Sequence, residues 1–91
     1  MVKVSPFDIA DYLKTEDDIR GFLAEVAETG NASDFVHALG IAARAQGMAK
    51  LATEIGVTRT SLYKSLAQDG HPRFETIFKI TRALGCKLAV V

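Results

Sequence analysis

The sequence predicts an all-α fold of five helices with a short C-terminal β-strand. Three observations predict it. Apolar residues recur at helical spacing through most of the 91-residue chain. Good capping residues and glycines punctuate those stretches at helix-length intervals. Only after Gly85 does the pattern change to alternation, in the closing "CKLAVV".

Residues 1–14 contain a proline and short apolar clusters around Phe7, Ile9, Tyr12 and Leu13. They read as an N-terminal arm, extended or partly a strand. Residues 15–85 read as the helical body. Thr15 can cap a first helix whose opening turn, Glu16, Asp17 and Asp18, suits the positive end of the helix dipole. Ile19, Phe22, Leu23, Val26 and Ala27 form its apolar stripe, and Gly30 stops it. Ser33 can cap a second helix, with Phe35, Val36, Leu39, Ala42 and Ala43 inward and Gly47 at its end. Met48, Leu51, Ala52 and Ile55 define a short third helix stopped by Gly56. Thr58 caps a fourth, carrying Leu62 and Leu66 inward and ending near Gly70. "DGHP" is a turn. The fifth helix spans Phe74 to Leu84, with Phe74, Ile77, Phe78, Thr81 and Leu84 on one stripe and Gly85 as its stop.

In the last segment, 86–91, Cys86, Leu88 and Val90 alternate with Lys87 and Ala89. A lone strand leaves its backbone unsatisfied, so this one needs a partner. Either the arm at 2–9 supplies it or the same segment of a second subunit does, and the second subunit is the favoured partner.

Composition sets the bounds. The length fits one small domain, for which dimerisation is a common source of extra stability. Cys86 is the only cysteine, so no disulfide closes within the chain. The opening "MVKVSPFDIADYL" lacks the long apolar core of a signal peptide, and no apolar run approaches a membrane span. A cytoplasmic protein is expected. The net charge is zero, but it is unevenly distributed. Met1 to Asp34 carries eight acids against three bases, and Phe35 onward three acids against eight bases. That separation is either solvated surface or two faces for two partners, one basic and one polyanionic.

The stretch "MAKLATEIGVTRTSLYKSL", Met48 to Leu66, meets the demands of a helix-turn-helix, read here over 48–67. Ala52 is small where two helices must cross closely. Gly56 stands four residues later, where the chain must turn with positive φ. Leu51, Ile55, Val57, Leu62 and Leu66 are spaced to lock the pair from inside. Thr58, Arg59, Thr60, Tyr63 and Lys64 fall on the outer face of the second helix. Arg59 can present its bidentate fork to guanine O6 and N7. Thr58 and Thr60 can serve a base edge, a thymine methyl or a phosphate, and Thr58 can equally be only an N-cap. Tyr63 can pack on a methyl or bond a phosphate, and Lys64 is best placed as a phosphate anchor. With Arg44, Lys50 and Arg73 these residues make a local basic surface on a neutral chain. Neutrality then predicts modest non-specific binding and a need for two half-sites.

The stretch from "ALGIAARAQG" through "RTSLYKSL" and "GHPRFETI" to "LGCKL", with the opening "FDIADYLKTEDDIRGFLAEVAETG", resembles the addiction-module antidote proteins. These are small lambda-repressor-like, Cro/repressor-type antitoxins of the prophage kind. The resemblance implies a DNA-binding antitoxin that represses its own operon and neutralises a small basic toxin of the RelE/ParE-like class. It puts Thr58, Arg59, Thr60, Tyr63 and Lys64 at the recognition-helix positions. Met48 stands where the wider superfamily often has a phosphate-binding Gln, and Ala49 where it often has Ser or Thr. Lys50 is then the substitute anchor. No motif gives the toxin contacts. The acidic first helix, with Glu16, Asp17, Asp18, Glu25 and Glu28, is the candidate surface, against the plainer reading that these acids cap and solubilise it.

His37 and His71 are the only histidines, and with Cys86 they show no zinc spacing. No nucleophile-base set or Gly-rich phosphate loop stands out, so neither an enzyme nor a cofactor is expected. Two further readings stay open beside the antitoxin: a stand-alone prophage-type regulator, and an interaction module that does not read DNA.

Overall fold

A computed structural model of the chain describes residues 8–67 and 70–90. Five α-helices follow one short 3-10 turn, Ile9–Tyr12: α1 (Glu16–Thr29), α2 (Ala32–Gln46), α3 (Met48–Ile55), α4 (Arg59–Ser65) and α5 (Phe74–Ala83).

Local chemistry fixes most of the boundaries. The Thr15 hydroxyl accepts from the Asp18 amide at 3.1 Å, and the Asp18 carboxylate accepts from the Thr15 amide at 3.1 Å, a reciprocal capping box. Gly30 ends α1 in extended backbone. A glycine is required there for space, since a Cβ would stand 2.9 Å from the Val26 carbonyl oxygen and from Asp34 Cβ. The cap of α2 is Asn31 and not Ser33. Asn31 Oδ1 accepts from the Asp34 amide at 2.8 Å, and Asp34 returns the bond to the Asn31 amide at 3.1 Å. Ser33 lies inside the first turn. The amide-bearing side chain two residues earlier captures the free donors first.

α1 folds back onto α2, α2 packs on α3, and α3 touches both α4 and α5. The core takes side chains from every helix: Ile19 and Leu23 of α1, Leu39 of α2, Leu51 of α3, Leu62 of α4 and Ile80 of α5. Ala38, Ala42 and Ala43 of α2 are also buried, and their small side chains let neighbouring helices approach. Leu66 and Leu84, just beyond α4 and α5, close the core from below. Thr81 is the one buried polar residue among those described, and its hydroxyl donates to the Phe78 carbonyl at 2.9 Å.

Several expectations are corrected. Residues 86–90 form no strand, and no strand occurs among the described residues. The Cys86 amide donates instead to the Thr81 carbonyl at 2.9 Å, and Leu88 and Val90 are exposed. An alternating segment forms a strand only where another backbone pairs with it, and no described segment of this single chain does. The described part of the arm is not extended: Ile9–Tyr12 turns, capped by Asp8, and packs on α2. The rest of the arm, 1–7, lies outside the described residues, as does Val91. α4 stops at Ser65, short of Gly70, as the chain tightens with Ala67 donating to the Lys64 carbonyl at 3.4 Å. α5 ends one residue before Leu84. Of the expected α5 stripe, Thr81 and Leu84 are buried and Ile77 packs on the core, but Phe74 is 70% exposed, and Ile80, outside that stripe, is fully buried.

Candidate functional site

The candidate site is the outer face of α3, its turn and α4. Ala52, 3% exposed, sits in α3 beneath the turn. Its carbonyl accepts from both the Gly56 and the Val57 amides at 3.0 Å. Gly56 takes the left-handed conformation, φ 79° and ψ 32°, and swings the chain sharply out of α3. Thr58 then opens α4, its hydroxyl accepting from the Ser61 amide at 3.0 Å. Leu51, Leu62 and Leu66 are buried and hold the pair from inside. Ile55 is half-buried, and Val57 is exposed and so takes no part in that lock.

With Leu62 fixing the inward side, α4 turns its remaining chemistry outward. Thr58, Arg59, Thr60, Tyr63 and Lys64 are all exposed, as is Lys50 on α3. The Arg59 guanidinium lies 5.8 Å from the centre of the Tyr63 ring. One helical turn separates the two, so the aromatic face steadies the arginine while leaving its fork outward.

Arg44 differs from the other bases. From α2 it borders a cleft of 330 Å³ shared with His37 and Tyr63. Its Nη1 donates to Asp8 Oδ2 at 3.1 Å and its Nη2 to Asp8 Oδ1 at 3.3 Å. The guanidinium, chiefly through that hydrogen bond, holds the Asp8 carboxyl below its ordinary range, and Asp8 in turn raises Arg44. One base of the expected surface is therefore neutralised from within the chain. Asp8 was not foreseen, because the two residues are 36 positions apart and nothing local links them.

The acids of α1 also divide. Asp18 caps the helix. Asp17 bonds Arg20, and Glu16 stands 3.5 Å from the same guanidinium, which also donates to the Gly85 carbonyl at 3.3 Å. Glu25 and Glu28 are exposed and hold no ion pair among the described residues. His37 and His71 are both exposed, and no cluster of potential metal ligands occurs among the described residues. Burial raises the half-buried Cys86 thiol above its usual range.

The family described as "Probable addiction module antidote protein" matches residues 3–91. The chain belongs to the addiction module antidote family. An uncharacterized protein of Haemophilus influenzae (strain ATCC 51907 / DSM 11121 / KW20 / Rd) is 35% identical over 88 residues, which cover 97% of this chain and 91% of that protein. No solved structure matches the chain. An antidote implies a cognate toxin, so the antidote family assigns this protein a protein partner. No helix among the antidote's described residues is long and apolar enough to cross a membrane.

Proposed function

We propose that this protein is the antitoxin of a type II toxin–antitoxin module, acting in the cytoplasm as a homodimer. In this reading α3 and α4 are a helix-turn-helix that reads an operator, the protein represses its own operon, and it neutralises a small basic toxin of the RelE/ParE-like class. Family membership supports the antidote role. The observation that carries the DNA reading is the division of α4: Leu62 alone is fully buried, while Arg59, Thr60, Tyr63 and Lys64 face outward beyond a glycine turn.

The roles follow from donor geometry. Arg59 reads a guanine edge, Thr60 a neighbouring base or methyl, and Tyr63 orients Arg59 while touching the backbone. Lys64 and Lys50 hold phosphates. Thr58 acts first as the cap of α4 and offers its methyl second. Arg44, held by Asp8, contributes less to phosphate attraction than an unpaired base would. The toxin meets the acidic side of α1, chiefly at Glu25 and Glu28, because Glu16, Asp17 and Asp18 already have partners within the chain.

Gel shifts on the upstream promoter test the reading. Arg59→Ala weakens binding to the specific site by about 1–3 kcal/mol and leaves random DNA much less affected. Equal loss on both would move Arg59 to the backbone, and no salt-dependent shift on any promoter fragment would defeat the DNA reading. Co-purification of the neighbouring gene's product, lost on charge reversal at Glu25 and Glu28, tests the toxin surface.

A further inference from the structure

The cleft between α2 and α4 is lined for an anion, and the chain supplies one itself. Arg44 and His37 of α2 and Tyr63 of α4 border its 330 Å³, and no acid is among its lining residues. The acid comes from outside that lining. Asp8, the cap of the 3-10 turn, accepts from the two terminal nitrogens of Arg44 with its two carboxylate oxygens, at 3.1 and 3.3 Å. A guanidinium donates to a carboxylate and to a phosphate through the same two-pronged fork. Asp8 thus holds Arg44 in the way a phosphate would.

Two features make that partner exchangeable. The pair is open to solvent, with 46% of the Arg44 side chain and 43% of the Asp8 side chain exposed, and such pairs hold weakly. Asp8 Oδ1 also accepts from the Ala10 amide at 3.1 Å, so the turn keeps its cap when the arginine leaves. Tyr63 belongs to both the cleft and the face of α4. It borders the cleft with Arg44, and the Arg59 guanidinium lies 5.8 Å from its ring centre. A duplex laid along α4 brings its backbone to Tyr63, where Arg44 is the neighbouring cation. The same backbone repels the carboxylate of Asp8 and that of Asp11, whose charge also acts on Arg44.

We propose that Arg44 is a phosphate clamp which Asp8 occupies in the free protein, and that a backbone phosphate of bound DNA displaces the carboxylate into solvent. The proposal rests on the DNA reading above and adds to it an internal competitor that lowers the affinity.

Fluorescence anisotropy on the full chain tests it, with a labelled random duplex and a labelled promoter duplex across a potassium chloride series. Asp8→Asn removes the charge but keeps the oxygen that caps the turn, and should bind both duplexes about two- to fivefold more tightly. Asp8→Glu keeps the charge and should bind like the wild type. Arg44→Ala should weaken binding and flatten the salt dependence by about one charge. In the Arg44→Ala background, Asp8→Asn should lose most of its gain. Asp11→Asn removes an equal charge from the same turn without freeing Arg44, and should gain less. Unchanged circular dichroism excludes misfolding in these variants. On the wild type itself, the NMR cross-peaks between the Arg44 and Asp8 side chains should vanish when the random duplex is added. Cross-peaks that persist in the complex would overturn the proposal. So would an Asp8→Asn gain that is equal with and without Arg44, or equalled by Asp11→Asn, since either reduces the effect to net charge while leaving the DNA reading standing. Equal affinity for the two duplexes would defeat operator recognition and leave the clamp standing. No binding to either duplex would overturn both.

Discussion

Gly56 sits at φ 79° with no heavy atom within 4 Å of where a Cβ would stand. The space is open, so only the backbone angle resists a side chain. Gly56→Ala is therefore expected to destabilise the fold by about 1–2 kcal/mol, the cost of holding an L-residue in the left-handed region, and chemical denaturation measures it. Asp8 makes a second prediction at this scale. Its carboxyl is held below the ordinary aspartate range in the folded protein, first by Arg44 and then by the Ala10 amide. Its contribution to stability is thus complete above the unfolded aspartate pKa and is lost as pH falls through the lower, folded value. NMR titration of the Asp8 carboxyl should give a midpoint below that of an unstructured aspartate, and Arg44→Ala should move it back up.

The elements most legible in the sequence were those whose ends are set by local chemistry. Thr15, Thr58, Gly30 and Gly56 act through atoms within four residues of themselves, so their identity was enough. Thr15→Ala should cost about 1 kcal/mol, because it leaves the Asp18 amide without its acceptor; the midpoint of urea unfolding reads this directly. Asn31 and Ser33 are both residue types that can cap, and only the reciprocal bond with Asp34 separates them. "CKLAVV" alternates, yet residues 86–90 form no strand in the single chain. Alternation states which faces a strand would have, but a strand exists only where another backbone pairs with it. Phe74 shares the spacing of the α5 stripe but stands at the first residue of the helix, 70% exposed. Ile80, outside that stripe, is fully buried.

At the scale of the whole molecule, one core draws on all five helices, and α2 supplies its centre. Leu39 is fully buried in the helix that contacts both α1 and α3, so truncating it opens a cavity in the core. Leu39→Ala should lose about 2–5 kcal/mol in denaturant unfolding, a large share of a small domain's stability. The charge separation between the first third and the rest was readable from the sequence. How much of it faces outward was not, since Asp8 crosses 36 positions to hold Arg44 and Arg20 gathers the first acids of α1. The construction of α4 has a consequence for descent. One leucine of this helix is buried while Arg59, Thr60, Tyr63 and Lys64 are exposed, so mutation can rewrite those four without rebuilding the scaffold. If α4 reads an operator as proposed, lineages that inherit the same framework are free to drift to new addresses.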